Sequence, residues 1–72
     1  MKYMIEFLTK DGDVLDRMLI ETNALELLIN TYVFKKHPSY IKKIKIYQVK
    51  GIVADAIQVA EIDVNTKKIR KT

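Results

Sequence analysis

The sequence predicts an α+β fold of hairpin, helix and hairpin (ββαββ), a four-stranded sheet with one helix packed on one face. Three observations predict it. Asp11-Gly12 separates two stretches of alternating apolar character, 2–8 and 14–20. A single helical pattern runs from Asn23 to Lys36. Two more strand-like stretches, 41–49 and 57–64, follow it.

Asp-Gly between alternating stretches is a strong hairpin signal, expected here as a two-residue turn with glycine at positive φ. That turn pairs residues whose numbers sum to 23. Glu6 then faces Arg17 and Lys2 faces Glu21 on one side of the sheet. Tyr3 faces Ile20 and Ile5 faces Met18 on the other. Opposite-charge and apolar cross-strand pairs each contribute about 0.2–1 kcal/mol, and a one-residue slip destroys both sets. Phe7 opposite Asp16 is the one poor pair.

The helix is expected to start with Asn23 as N-cap and Glu26 three residues on, a capping box, with Thr22 as the other candidate cap. Leu25, Leu28, Ile29, Tyr32 and Val33 share one face by their three- and four-residue spacing. Lys35 and Lys36 suit the last turn, and Pro38 ends the helix. Leu27 and Phe34 lie off this stripe. They either widen the buried face or touch a partner.

In the second hairpin the charges set the register. Lys45 opposite Glu61 brings Lys43 opposite Asp63, Ile44 opposite Ile62 and Ile46 opposite Ala60. The loop from Gly51 to Asp55 then contains Ile52 and Val53, as exposed side chains or inside a tighter turn. His37 is the only histidine and, lacking a second ligand at metal spacing, reads as a solvated loop residue.

A diagonal helix lets strands one and four lie parallel at the sheet centre, in the order 2-1-4-3, with strands two and three at the edges. This arrangement resembles the β-grasp architecture of ubiquitin-like proteins and small immunoglobulin-binding domains, in element order alone. The chain ends in Lys71-Thr72, without the terminal Gly-Gly of a ubiquitin-like modifier or sulfur carrier, so that role is not expected. A plain antiparallel meander is the alternative topology.

At 72 residues the chain is one domain, near the lower size limit for independent folding. The domain is expected over 1–65, with 66–72 a flexible basic tail. There is no cysteine, so no disulfide or thiolate site is available. No apolar run reaches the roughly 20 residues of a membrane span. Glu6 interrupts the N-terminal apolar run a signal peptide needs, so a cytoplasmic protein is expected.

The net charge is +4. Residues 34–50 hold six lysines and no acid, and Lys67, Lys68, Arg70 and Lys71 crowd the C-terminus. The rest is acidic enough to leave the body neutral, a weaker nucleic-acid signal than the pI of 9.4 suggests. With strand three at an edge, Lys42, Lys43, Lys45 and Lys50 read first as edge protection. Nucleic-acid contact beside Tyr40 and Tyr47 and binding to an acidic protein are the other readings.

Nothing in the sequence assembles a nucleophile, a base and an oxyanion donor. Gly12 and Gly51 are the only glycines, too few for a phosphate loop. Asp11, Asp13 and Asp16 fall short of a calcium loop. No enzyme activity, cofactor, metal or small-molecule substrate is expected. One helix covers only one sheet face, which leaves apolar residues on the other. Met4, Leu15, Leu19, Tyr47 and Val59 are the expected contact residues of a non-enzymatic interaction module, an adaptor or inhibitor, that forms a homodimer or docks on a protein. The alternative is a nucleic-acid-binding protein using Lys42, Lys43, Lys45, Tyr47, Lys67, Lys68, Arg70 and Lys71.

Overall fold

The computed structural model describes residues 1–51 and 55–72. The elements are β1 (Lys2–Leu8), β2 (Val14–Glu21), α1 (Leu25–Phe34), β3 (Lys43–Val49), β4 (Ile57–Asp63) and β5 (Ile69–Lys71). The strands form one sheet, ordered β2-β1-β3-β4-β5, with every neighbouring pair antiparallel. Ile52 and Val53, a point of ambiguity in the sequence, lie outside the described residues.

The first hairpin keeps the expected register, from Lys2 opposite Glu21 to Phe7 opposite Asp16. It reaches that register by another route. Lys10, Asp11 and Gly12 form a three-residue loop: the Gly12 N–H donates to the Thr9 carbonyl at 3.1 Å, and the Thr9 N–H to the Asp13 carbonyl at 2.9 Å. Leu8 then pairs with Val14, leaving Leu15 as the extra residue of a bulge before Asp16. Loop and bulge offset each other by one residue. Gly12 sits at φ 90° with nothing near its missing Cβ, so backbone conformation and not space calls for glycine there.

The helix is shorter than expected, and the capping box does not form. Asn23 Oδ1 accepts from the N-terminal ammonium at 3.0 Å. Thr22 Oγ1 accepts from the Ala24 N–H at 3.1 Å, and Glu26 pairs with Lys71. Long-range partners have taken Asn23 and Glu26, and Thr22 bonds only two residues on. At the other end, His37 is half-buried, not solvated. Its ring stacks on Tyr32, and its Nε2–H donates to the Tyr32 carbonyl at 2.9 Å.

One face of the sheet packs on α1. Tyr3, Ile5 and Phe7 of β1, Ile44 and Ile46 of β3, and Ala60 and Ile62 of β4 meet Leu28, Ile29, Tyr32 and Val33. Leu27 and Phe34 are 66% and 75% exposed. They do not widen the buried face, because they point from the opposite side of the helix.

Two features of the topology differ from expectation. First, β3 and not β4 lies beside β1, so the β-grasp order 2-1-4-3 and its parallel centre do not hold. A meander does not hold either, since β3 neighbours β1 and not β2. Strand directions are the same in the expected and observed orders, so the choice falls to lateral contacts. With β4 beside β1, the strand bearing Glu61 and Asp63 would lie next to Glu6. The observed order sets Lys45 between Glu6 and Glu61, and like charges directly opposite are destabilising. Second, the sheet has five strands. Ile69–Lys71, expected in a flexible tail, pair with β4. The turn into β5 is organised by Asp63, whose Oδ1 accepts from the Asn65 and Thr66 N–H groups at 3.0 and 3.1 Å.

Candidate interaction surface

Strand alternation sends Lys2, Met4, Glu6 and Leu8 to the face away from α1. On this open face the registers align Arg17, Glu6, Lys45, Glu61 and Arg70 across all five strands. Their charges alternate in sign from one sheet edge to the other. Beside this row run Leu19, Met4 and Tyr47, and then Glu21, Lys2 and Val49.

Glu6, second in this row beside the edge strand, is only 7% exposed. Arg17 Nε donates to its Oε2 at 2.8 Å. Burial alone pushes the Glu6 carboxyl up. The Arg17 hydrogen bond, the Tyr47 hydroxyl and the charges of Arg17 and Lys45 outweigh it and hold the group below its ordinary value. The same neighbourhood pushes Tyr47 up to about 12, through burial first and the adjacent Glu6 second. Lys43 Nζ lies 3.8 Å from Glu61 Oε2.

The lysines of β3 therefore have a different setting from the one expected. β3 is an interior strand, so Lys43 and Lys45 do not guard an edge. On the open face Lys45 separates Glu6 from Glu61, and Lys43 lies beside Asp63 and Glu61.

The expected contact residues are not one patch. Leu19 is 55% exposed and Leu15 also projects to solvent. Met4 is buried by its neighbours, and Tyr47 is half-buried. Val59 falls at a second bulge, where the pairing sum drops from 106 to 105, and packs against the helix-side core. The basic set is divided too. Lys43, Lys45, Lys68 and Arg70 lie on the open face among Glu6, Glu61 and Asp63. Lys42 lies near Lys10 and Asp63. Lys71 reaches Glu26 from the helix side, and Lys67 Nζ sits 5.8 Å from the centre of the Phe34 ring.

The exposed apolar surface of the sheet gathers instead on β2. Val14, Leu15, Met18 and Leu19 are all exposed. β2 is an edge strand of eight residues. Met18 belongs to the helix side and Leu19 to the open face, yet both line one shallow depression with Met4 and Arg17. It wraps around the β2 edge.

The backbone of that edge can be read from one bond. The Thr22 N–H donates to the Met1 carbonyl at 2.8 Å, which makes Met1 and Thr22 a hydrogen-bonded pair. Alternation in an antiparallel ladder then turns the N–H and C=O groups of Ile20, Met18 and Asp16 toward β1. Those of Arg17, Leu19 and Glu21 point outward. In agreement, the Arg17 N–H is met by Asp16 Oδ1 of its own strand at 2.8 Å. The opposite edge differs: β5 has three residues, among them Arg70 and Lys71, a short charged edge that discourages pairing.

Sequence reasoning placed strand two at an edge, as observed, but turned Met18 inward and did not read that edge as a contact surface. The signal was present as Val14, Leu15, Met18 and Leu19 within eight residues. It was obscured because the helix was expected to cover the inner side of β2.

Among the described residues no helix is long and apolar enough to cross a membrane. No protein-family model, curated protein or solved structure matches the chain.

Proposed function

We propose that this protein is a small non-enzymatic interaction module that docks through the β2 edge and the adjoining strip of the open face. The observation that carries the reading is an eight-residue edge strand with outward backbone groups and four exposed apolar side chains. An edge of this kind is a template for adding another strand. The open face as a whole suits apolar docking less well, because a charged row crosses its centre. The nucleic-acid alternative has less support, since the basic side chains of that face are interleaved with acids.

Leu19→Lys tests this reading. The side chain is exposed, so the variant is expected to stay folded, within about 0.5 kcal/mol of the wild type. It sets a charge in the middle of the contact. Wild-type protein should self-associate in sedimentation or capture a protein from a cell extract, and the variant should do neither. A wild type that stays monomeric and captures nothing beyond what the variant captures contradicts the proposal.

A further inference from the structure

We propose that the strand added to β2 is β2 of a second copy, antiparallel, with Leu19 facing Leu19 across a two-fold axis. This rests on the docking reading above and gives it a partner and a register.

The outward groups of Arg17, Leu19 and Glu21 restrict the choice. Antiparallel self-pairing must bring outward residues opposite outward residues, so registers change in steps of two. Pairing numbers that sum to 38 sets Leu19 against Leu19 and Arg17 against Glu21 of the second copy, twice by symmetry. On the helix side it sets Met18 against Ile20. A sum of 36 sets Arg17 against Leu19 and Asp16 against Ile20. A sum of 34 sets Arg17 against Arg17, and 40 sets Leu19 against Glu21. Only the first gives opposite charges and apolar partners at every one of these positions.

The side-chain rows of each protomer continue across that seam. The alternating row that ends at Arg17 proceeds to Glu21 of the second copy and then to its Lys2, so the signs keep alternating. The row Tyr47, Met4, Leu19 meets its own mirror order and forms one apolar strip. Arg17 spends its Nε on Glu6, which leaves the other guanidinium nitrogens for Glu21 of the second copy. The Asp16 carboxylate releases the Arg17 N–H to the carbonyl of that Glu21. The interface is isologous and closed, as a two-fold dimer requires. It removes both exposed β2 edges and joins two five-stranded sheets.

Sedimentation and a cysteine scan test the proposal on the full chain, which has no cysteine of its own. The wild type is expected to sediment at twice the 8.4 kDa chain mass. Residues in a hydrogen-bonded antiparallel pair have Cα atoms about 5.5 Å apart, within the disulfide range of about 4.4–6.8 Å. Leu19→Cys should therefore cross-link on mild oxidation several-fold faster than Met18→Cys or Ile20→Cys, which report the sums of 36 and 40. Circular dichroism of each reduced variant verifies folding. Faster cross-linking at position 18 or 20 overturns the register. A wild type that stays at the monomer mass at every concentration overturns the second-copy assignment. If that monomer still captures another protein in a Leu19-dependent way, the docking reading stands while this inference fails.

Discussion

Replacing Ile44 with alanine should destabilise the fold by about 2–5 kcal/mol, the range for deleting a buried branched side chain and leaving a cavity. Ile44 is fully buried, opposite Phe7 on one side and Ile62 on the other. It lies in an interior strand, in the cluster that packs on α1. For 72 residues the total stability is expected to be about 4–11 kcal/mol, so the change takes a large share of it. Leu28→Ala, from the helix side of the same cluster, should fall in the same range. Urea unfolding followed by circular dichroism measures both. Losses below about 0.5 kcal/mol, the scale of a surface change, would contradict this core.

The second large effect is expected at Glu6. Glu6→Gln keeps the shape of the side chain and removes the charge that Arg17 and Lys45 flank. The expected cost near neutral pH is about 1.5–3 kcal/mol, the range for a hydrogen bond to a charged group. The pH dependence identifies the cause. The folded-state carboxyl titrates below its ordinary 4.5, so the native state binds its proton less readily than the unfolded chain does. Its contribution is fully present above the unfolded value and is lost as the pH falls through the folded one. Wild type and variant should therefore differ most at neutral pH and converge in acid. Asp63 is also lowered, chiefly by the Thr66 N–H and also by that of Asn65, so the variant retains some acid sensitivity. Urea midpoints across a pH series test the point. Parallel curves for the two proteins would mean that the Glu6 charge contributes nothing.

Much of the fold was legible in side-chain charge. Glu6 with Arg17 and Lys2 with Glu21 supported the register expected from the Asp11-Gly12 turn, and Lys45 with Glu61 and Lys43 with Asp63 set that of the second hairpin; all four pairs are observed. Loop details were less legible. The bulge at Leu15 and the three-residue loop at Gly12 cancel, so the same pairs arise from a turn of different length. The order of the two hairpins was legible in principle. Glu6 sits opposite Arg17 in the first hairpin, and a third strand beside it must offer a cation. Lys45 offers one, whereas β4 offers Glu61. Weighing each hairpin alone hid that constraint. Ile69–Lys71 was hard to find because a three-residue strand has little pattern of its own and depends on β4 for its register. The capping box failed because Glu26 and Asn23 met Lys71 and the N-terminus, contacts between residues far apart in sequence. Val59 moved to the helix side through a bulge that no residue of the sequence announces. The candidate surface shifted accordingly, from a whole face to one edge and its adjoining strip, with Met4, Leu15, Leu19 and Tyr47 common to both and Val59 lost.

The claim that the β2 edge is a contact surface is tested most directly by residue-resolved amide exchange as a function of protein concentration. The amides of Asp16, Met18 and Ile20 are bonded to β1 and should be protected at every concentration. Those of Leu19 and Glu21 should exchange freely in dilute protein, that of Arg17 is held only by Asp16 Oδ1, and all three should slow as association proceeds. If these three exchange at their dilute rates at all concentrations while the sheet amides stay protected, the edge is idle in the protein alone, and pairing with a second copy through β2 is contradicted.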